Sequence, residues 1–161
     1  MLLNKKDSGR SIVEMLGVLA IMGVITVMGI SGYSQAIGRI NRNKVVEDVT
    51  RLAQETRGLY AGKDNYTGLT TDVIRNVMGA TVLDNPYGGA YTIAPTTISG
   101  ATSPKYFTIS IANVSAADCT YFTTMAWMDA RSSSTGVLSG TAVATPAACT
   151  GTSNSVAITY Q

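Results

Sequence analysis

Gly9-Arg10-Ser11-Ile12-Val13-Glu14 leads into Met15-Leu16-Gly17-Val18-Leu19-Ala20-Ile21-Met22-Gly23-Val24-Ile25-Thr26-Val27-Met28-Gly29-Ile30, and the rest of the chain is read outward from this stretch. From Met15 to Gly38 there is no charged residue. As helix, at about 1.5 Å per residue, that run crosses a hydrocarbon core of about 30 Å. Glu14 does not suit a plain anchor, because a carboxylate between Val13 and Met15 is costly in lipid and needs a partner or a task. Ahead of it lies a short polar leader, residues 1–9, whose Lys5 and Lys6 hold that end on the cytoplasmic side. The small residue Gly9 precedes the apolar run, whereas the small residues of a secretory cleavage site would follow it.

A glycine, a glutamate five residues later and then some twenty apolar residues resemble the class III signal of type IV pilins. The resemblance implies that a prepilin peptidase cuts between Gly9 and Arg10 and that the new amino group of Arg10 is methylated. Glu14 then becomes the fifth residue of the mature chain, the position whose carboxylate in that family meets the N-terminal amine of a neighbouring subunit. A buried charge is tolerable when it is paired, so the chemistry agrees. The chain departs from the family at Arg10, where Phe or Met is usual; Arg10 supplies a second cation for a neighbour's Glu14.

Beyond the apolar run there is sequence for one modest domain. The net charge is +2, and a leader carrying Lys5, Lys6 and Asp7 takes +1 with it, leaving +1 on the mature chain. Such a balance gives no basic field for nucleic acid. There is no histidine, and Cys119 and Cys149 are the only cysteines, which excludes His/Cys metal sites by count and leaves no cofactor to propose. In an exported domain this pair is expected to form a disulfide, free thiols being the other state. With no histidine and scattered carboxylates, no enzyme is expected. Lys63, Arg75 and Lys105 are well separated and read as solvated cations.

From Asn43 to Tyr60 the apolar positions Val45, Val49, Leu52, Thr56 and Leu59, with Val46 and Ala53 beside them, keep helical spacing. The apolar and amphipathic runs therefore read as one long helix. It has no proline, so any flexibility falls to Gly29 and Gly32, whose other reading is close packing. Thr70 or Thr71 caps a short helix over 72–78, closed by Gly79. Asp84-Asn85-Pro86-Tyr87-Gly88-Gly89 is a turn. Residues 90–94 and 105–112 alternate as strands, with a Thr/Ser-rich loop over 95–104. Ser115, three before Asp118, starts a second helix reaching about Ala130 and placing Cys119, Phe122, Ala126 and Ala130 on one face. Residues 136–144 are a weaker strand, and 156–160 are the last one.

The expected fold class is α+β, a long N-terminal helix packed on a small antiparallel sheet. It divides into a leader (1–9), a transmembrane and filament-core helix (10–42) and a globular head (43–161). The order of elements is similar to the larger type IVb pilins, and the Gly68-Leu69-Thr70 and Asn85-Pro86-Tyr87-Gly88-Gly89 segments are most similar to thin-pilus major pilins of conjugative plasmids, although the leader is shorter than in type IVb pilins. The resemblance implies a major pilin that waits in the bacterial inner membrane and is then extruded into an extracellular pilus. Its implied partners are further copies of itself, the prepilin peptidase, and the assembly platform with its ATPase; no nucleic acid is expected. The alternatives are a type II secretion pseudopilin and a minor pilin acting as an adhesin.

Overall fold

The architecture was obtained as a computed structural model, which describes residues 12–79, 83–97, 103–128, 130–133, 136–137 and 149–161. Helix α1, Ile12–Leu59, runs 48 residues without a break. By contact density the chain divides into one unit ending at Ile40 and a second, the head, spanning Asn41–Gln161.

In the first unit every large apolar side chain from Ile12 to Ile30 is 48–79% exposed. A helix that is apolar all round belongs in lipid or inside a bundle. Gly29 and Gly32 sit within regular helix, flanked by two side-chain bonds back along the chain, Thr26 Oγ1 to the Met22 carbonyl at 2.8 Å and Ser34 Oγ to the Ser31 carbonyl at 2.9 Å.

In the head the second part of α1 turns Val45, Val49, Leu52, Ala53 and Thr56 inward, as the spacing requires. The Thr56 hydroxyl is satisfied in this apolar setting by donating to the Leu52 carbonyl at 2.7 Å. Helix α2, Thr71–Met78, is capped by Thr70, whose side chain accepts from the Val73 amide at 3.3 Å. It is closed by Gly79 at φ 94°, a conformation that favours glycine.

The sheet contains β1 (Tyr91–Thr96), β2 (Tyr106–Val114), β3 (Ala130–Ser133), β4 (Gly136–Val137) and β5 (Asn154–Tyr160), in the antiparallel order β1-β2-β5-β3-β4. Strand alternation puts Tyr91, Ile93, Phe107, Ile109, Ile111, Val156 and Ile158 on one face, where they join the α1 residues in a single buried cluster. Ile93 pairs with Ile109 and Ile109 with Ile158, so the register aligns a branched side chain on each of three neighbouring strands.

Helix α3, Ala116–Thr124, begins at the expected serine. The Ser115 hydroxyl accepts from the Asp118 amide at 3.2 Å and donates to Asp118 Oδ2 at 3.0 Å. It ends six residues short of Ala130, so Ala126 and Ala130 do not share its face; Ala130 opens β3. The reason lies in the last turn. The Met125 amide bonds the Tyr121 carbonyl while Met125 itself is extended, and the Trp127 indole N–H takes the Phe122 carbonyl at 2.8 Å. The side chain of Trp127 thus caps the end of α3 and folds its ring over Phe122, with ring centroids 5.9 Å apart. Residues 138–144 of the weaker strand lie outside the described residues.

Candidate functional site

The structure offers two candidate sites. The first is the start of α1. Glu14 lies in its first turn and is exposed, where a carboxylate suits the positive end of the helix dipole. Its neighbours Ile12, Val13, Met15 and Leu16 are 79, 76, 53 and 60% exposed, so this charge is set in an apolar surface. Gly9 and Arg10 lie outside the described residues.

The second place is the head's polar junction, where α1, α3 and the 84–90 turn meet. Arg42 donates through Nε to Asp118 Oδ1, and its guanidinium lies 4.9 Å from the centre of the Tyr121 ring. Asp118 is 7% exposed and held from three sides, by Arg42, by the Ser115 hydroxyl and through its own amide in the cap. The Tyr87 hydroxyl is buried near this carboxylate. Desolvation first, and the Asp118 charge second, push the Tyr87 phenol well above its ordinary range.

The Asn85-Pro86-Tyr87-Gly88-Gly89 segment is a clasp around one side chain. Asn85 Oδ1 accepts from the amides of Tyr87 at 2.9 Å and Gly89 at 3.1 Å, and Nδ2 donates to the Ala112 carbonyl at 2.7 Å. A Cβ at Gly89 would come within 2.7 Å of that same Ala112 oxygen, which explains the glycine. The turn docks where β2 bulges, at Asn113 with φ 62°; Asn113 Nδ2 donates to the Gly88 carbonyl at 3.2 Å and Asn113 Oδ1 accepts from Ser153 at 2.8 Å.

Cys119 of α3 and Cys149 are joined by a disulfide that links residues 30 apart, with Cα atoms 5.7 Å apart. The bond ties α3 to the segment that feeds β5. At the other end of the head, Arg57 Nε donates to the Gln161 carbonyl at 2.7 Å and its guanidinium lies over Tyr160, which fastens the end of α1 to the end of the chain. Of the three separated cations, Lys63 lies 4.5 Å from the Tyr60 ring centre and Arg75 pairs with Asp72. Sequence reasoning missed the role of Arg42, whose partner is 76 positions away.

Tyr91 gives the head a pH dependence. It is fully buried and its hydroxyl donates to Asp48 Oδ2 at 3.1 Å. Desolvation, and then the Asp48 charge, raise its phenol far above the ordinary value. A folded-state value above the unfolded one means stability complete below the unfolded value of about 10 and lost as pH rises beyond it, at about 1.4 kcal/mol per pH unit. Thermal melting is therefore expected to hold from pH 8 to about pH 9.5 and to fall as pH rises past about 10, less steeply in Tyr91→Phe. Parallel declines for the two proteins would remove Tyr91 from the explanation.

A long apolar N-terminal helix whose second part backs onto an antiparallel sheet, in an α+β head closed by a disulfide, is the type IV pilin architecture. The family model described as PilS N terminal matches residues 39–134, more than half of the chain, and the chain belongs to this type IV pilin family. The matched span begins after the apolar run, so it bears on the head and not on Gly9, Arg10 or Glu14. A comparison with the curated proteins finds no match.

Proposed function

We propose that the chain is the major structural subunit of a type IV pilus. In this reading it is made as an inner-membrane precursor, cut between Gly9 and Arg10 by a prepilin peptidase, methylated on the Arg10 amine, and polymerised through its N-terminal helix by an assembly platform and its ATPase. The observation that carries it is the exposed apolar length of α1, with one carboxylate at its head, on a chain of a type IV pilin family. Burying one such side chain is worth about 1.5–3 kcal/mol, so a dozen of them demand a cover. Lipid covers them before assembly and neighbouring helices cover them afterwards.

In the dry bundle the Glu14 carboxylate pairs with the Arg10 amine of a neighbour. Only the stagger that satisfies both charges is favourable, so the pair sets the register of the polymer. Gly29 and Gly32 are where α1 loosens on assembly; a filament reconstruction with unbroken helical density from Gly29 to Tyr33 would rule that out. The head is a structural body rather than a catalyst, in keeping with a sequence that has no histidine. A type II secretion pseudopilin or a rare adhesive minor pilin would use the same helix. The composition of fibres sheared from cells separates them: this chain dominates the sheared fraction if it is the major pilin, and a trace amount or no long fibre contradicts that role.

A further inference from the structure

Among the described residues strand β1 is an outer edge of the sheet, and an outer edge offers unpaired backbone groups to any passing strand. On β1 the groups of Thr92, Ala94 and Thr96 face β2, which leaves Tyr91, Ile93 and Pro95 to point outward. Two of these stations are obstructed, at Ile93 and at Pro95, and the third is flanked by the chain itself. At Ile93 the Thr71 hydroxyl of α2 accepts from the backbone amide at 2.9 Å and turns its own proton to the carbonyl at 3.2 Å, so one side chain takes both groups. At Pro95 there is no amide to offer. Just before Tyr91 the 84–90 turn folds back through the bridge between Asp84 and Ala90, so the end of the edge is occupied by the chain itself.

What is being closed off is a hazard. The edge reads Tyr91-Thr92-Ile93-Ala94-Pro95-Thr96, uncharged throughout and, Pro95 apart, rich in strand-forming residues. Natural sheets usually guard such an edge with a lysine, and this one has none on the strand. We infer that Thr71 is a hydrogen-bonding plug that keeps β1 from pairing with β1 of a second copy, so that copies of this chain are barred from associating by strand addition. Capping α2 is the task of Thr70, which leaves the Thr71 hydroxyl free for the edge. The inference concerns the head alone and stands whether or not the chain is the major subunit of a pilus.

Thr71→Val keeps the shape of the side chain and removes both bonds. The full chain in detergent micelles is compared as parent, Thr71→Val, Thr71→Ser and Thr71→Val with Thr92→Lys, by size-exclusion elution, thioflavin T fluorescence and near-ultraviolet circular dichroism. The expected result is a shift of Thr71→Val to larger, thioflavin-positive species that grow with concentration. Thr71→Ser, which keeps the hydroxyl, should elute with the parent, and a lysine added at the exposed Thr92 should restore that elution. Parent-like elution of Thr71→Val overturns the inference. So does association that the lysine fails to suppress, because that would come from unfolding rather than from an opened edge.

Discussion

Glu14→Ala is expected to leave the chain in the membrane fraction and to remove long filaments from the sheared fraction. The apolar run from Met15 to Gly38 is untouched by the change, so insertion should be as good as or better than before. In the proposed filament, what is lost is one side of a charge pair in a dry bundle. Removing one partner of a buried pair costs about 3–5 kcal/mol, because the other charge stays buried alone. In the equilibrium for adding a subunit that is more than about a hundredfold per contact. Glu14→Gln, which keeps the shape and a hydrogen-bond acceptor, should fall between the two. Normal filaments from Glu14→Ala would end the claim that this carboxylate sets register.

Loss of the disulfide is the second large effect. Cys119→Ala together with Cys149→Ala is expected to lower the stability of the head by about 3–4 kcal/mol, from the loop of some thirty residues that the bond closes in the unfolded chain. Against a typical total of about 5–15 kcal/mol for a domain, that is a large share. Cys119 is 3% exposed in the same cluster as Phe122 and Trp127, so alanine rather than serine is the fair replacement, since it buries no new hydroxyl. Denaturant unfolding of the full chain in detergent, with and without reductant, measures the difference. A midpoint that reductant leaves unchanged would show that the bond adds nothing to the folded head.

The periodic elements were legible because their burial is periodic. Val45, Val49, Leu52 and Thr56 announce the buried stripe of α1, and Phe107, Ile109 and Ile111 announce β2, since each pattern has only one way to face a core. Caps were legible because they are local: Thr70 with Gly79, and Ser115 with Asp118, act within a few residues. The end of α3 was not, because it depends on Trp127 reaching back to the Phe122 carbonyl, which no local pattern of small residues signals. Strand β3 was missed for a related reason. Ala130-Arg131-Ser132-Ser133 has no strand-forming residue and exists through its ladder to β5. The polar junction was hidden by distance, since nothing near Arg42 points to Asp118. The 84–90 turn was recognisable as a turn, but not as a clasp on Asn85, which needs the Ala112 carbonyl of a distant strand.

The head's sequence specifies a disulfide-closed body, and in the proposed pilus the apolar half of α1 supplies the surface through which copies join. That division of labour makes the start of the mature chain the decisive point. Mass spectrometry of the N-terminal peptide, on protein sheared from cells and on protein kept in membranes, tests it directly. The account predicts sheared protein that begins at Arg10 with a methylated amine. Intact Met1, found only in membranes of cells with an active prepilin peptidase, would contradict it and make α1 an ordinary anchor.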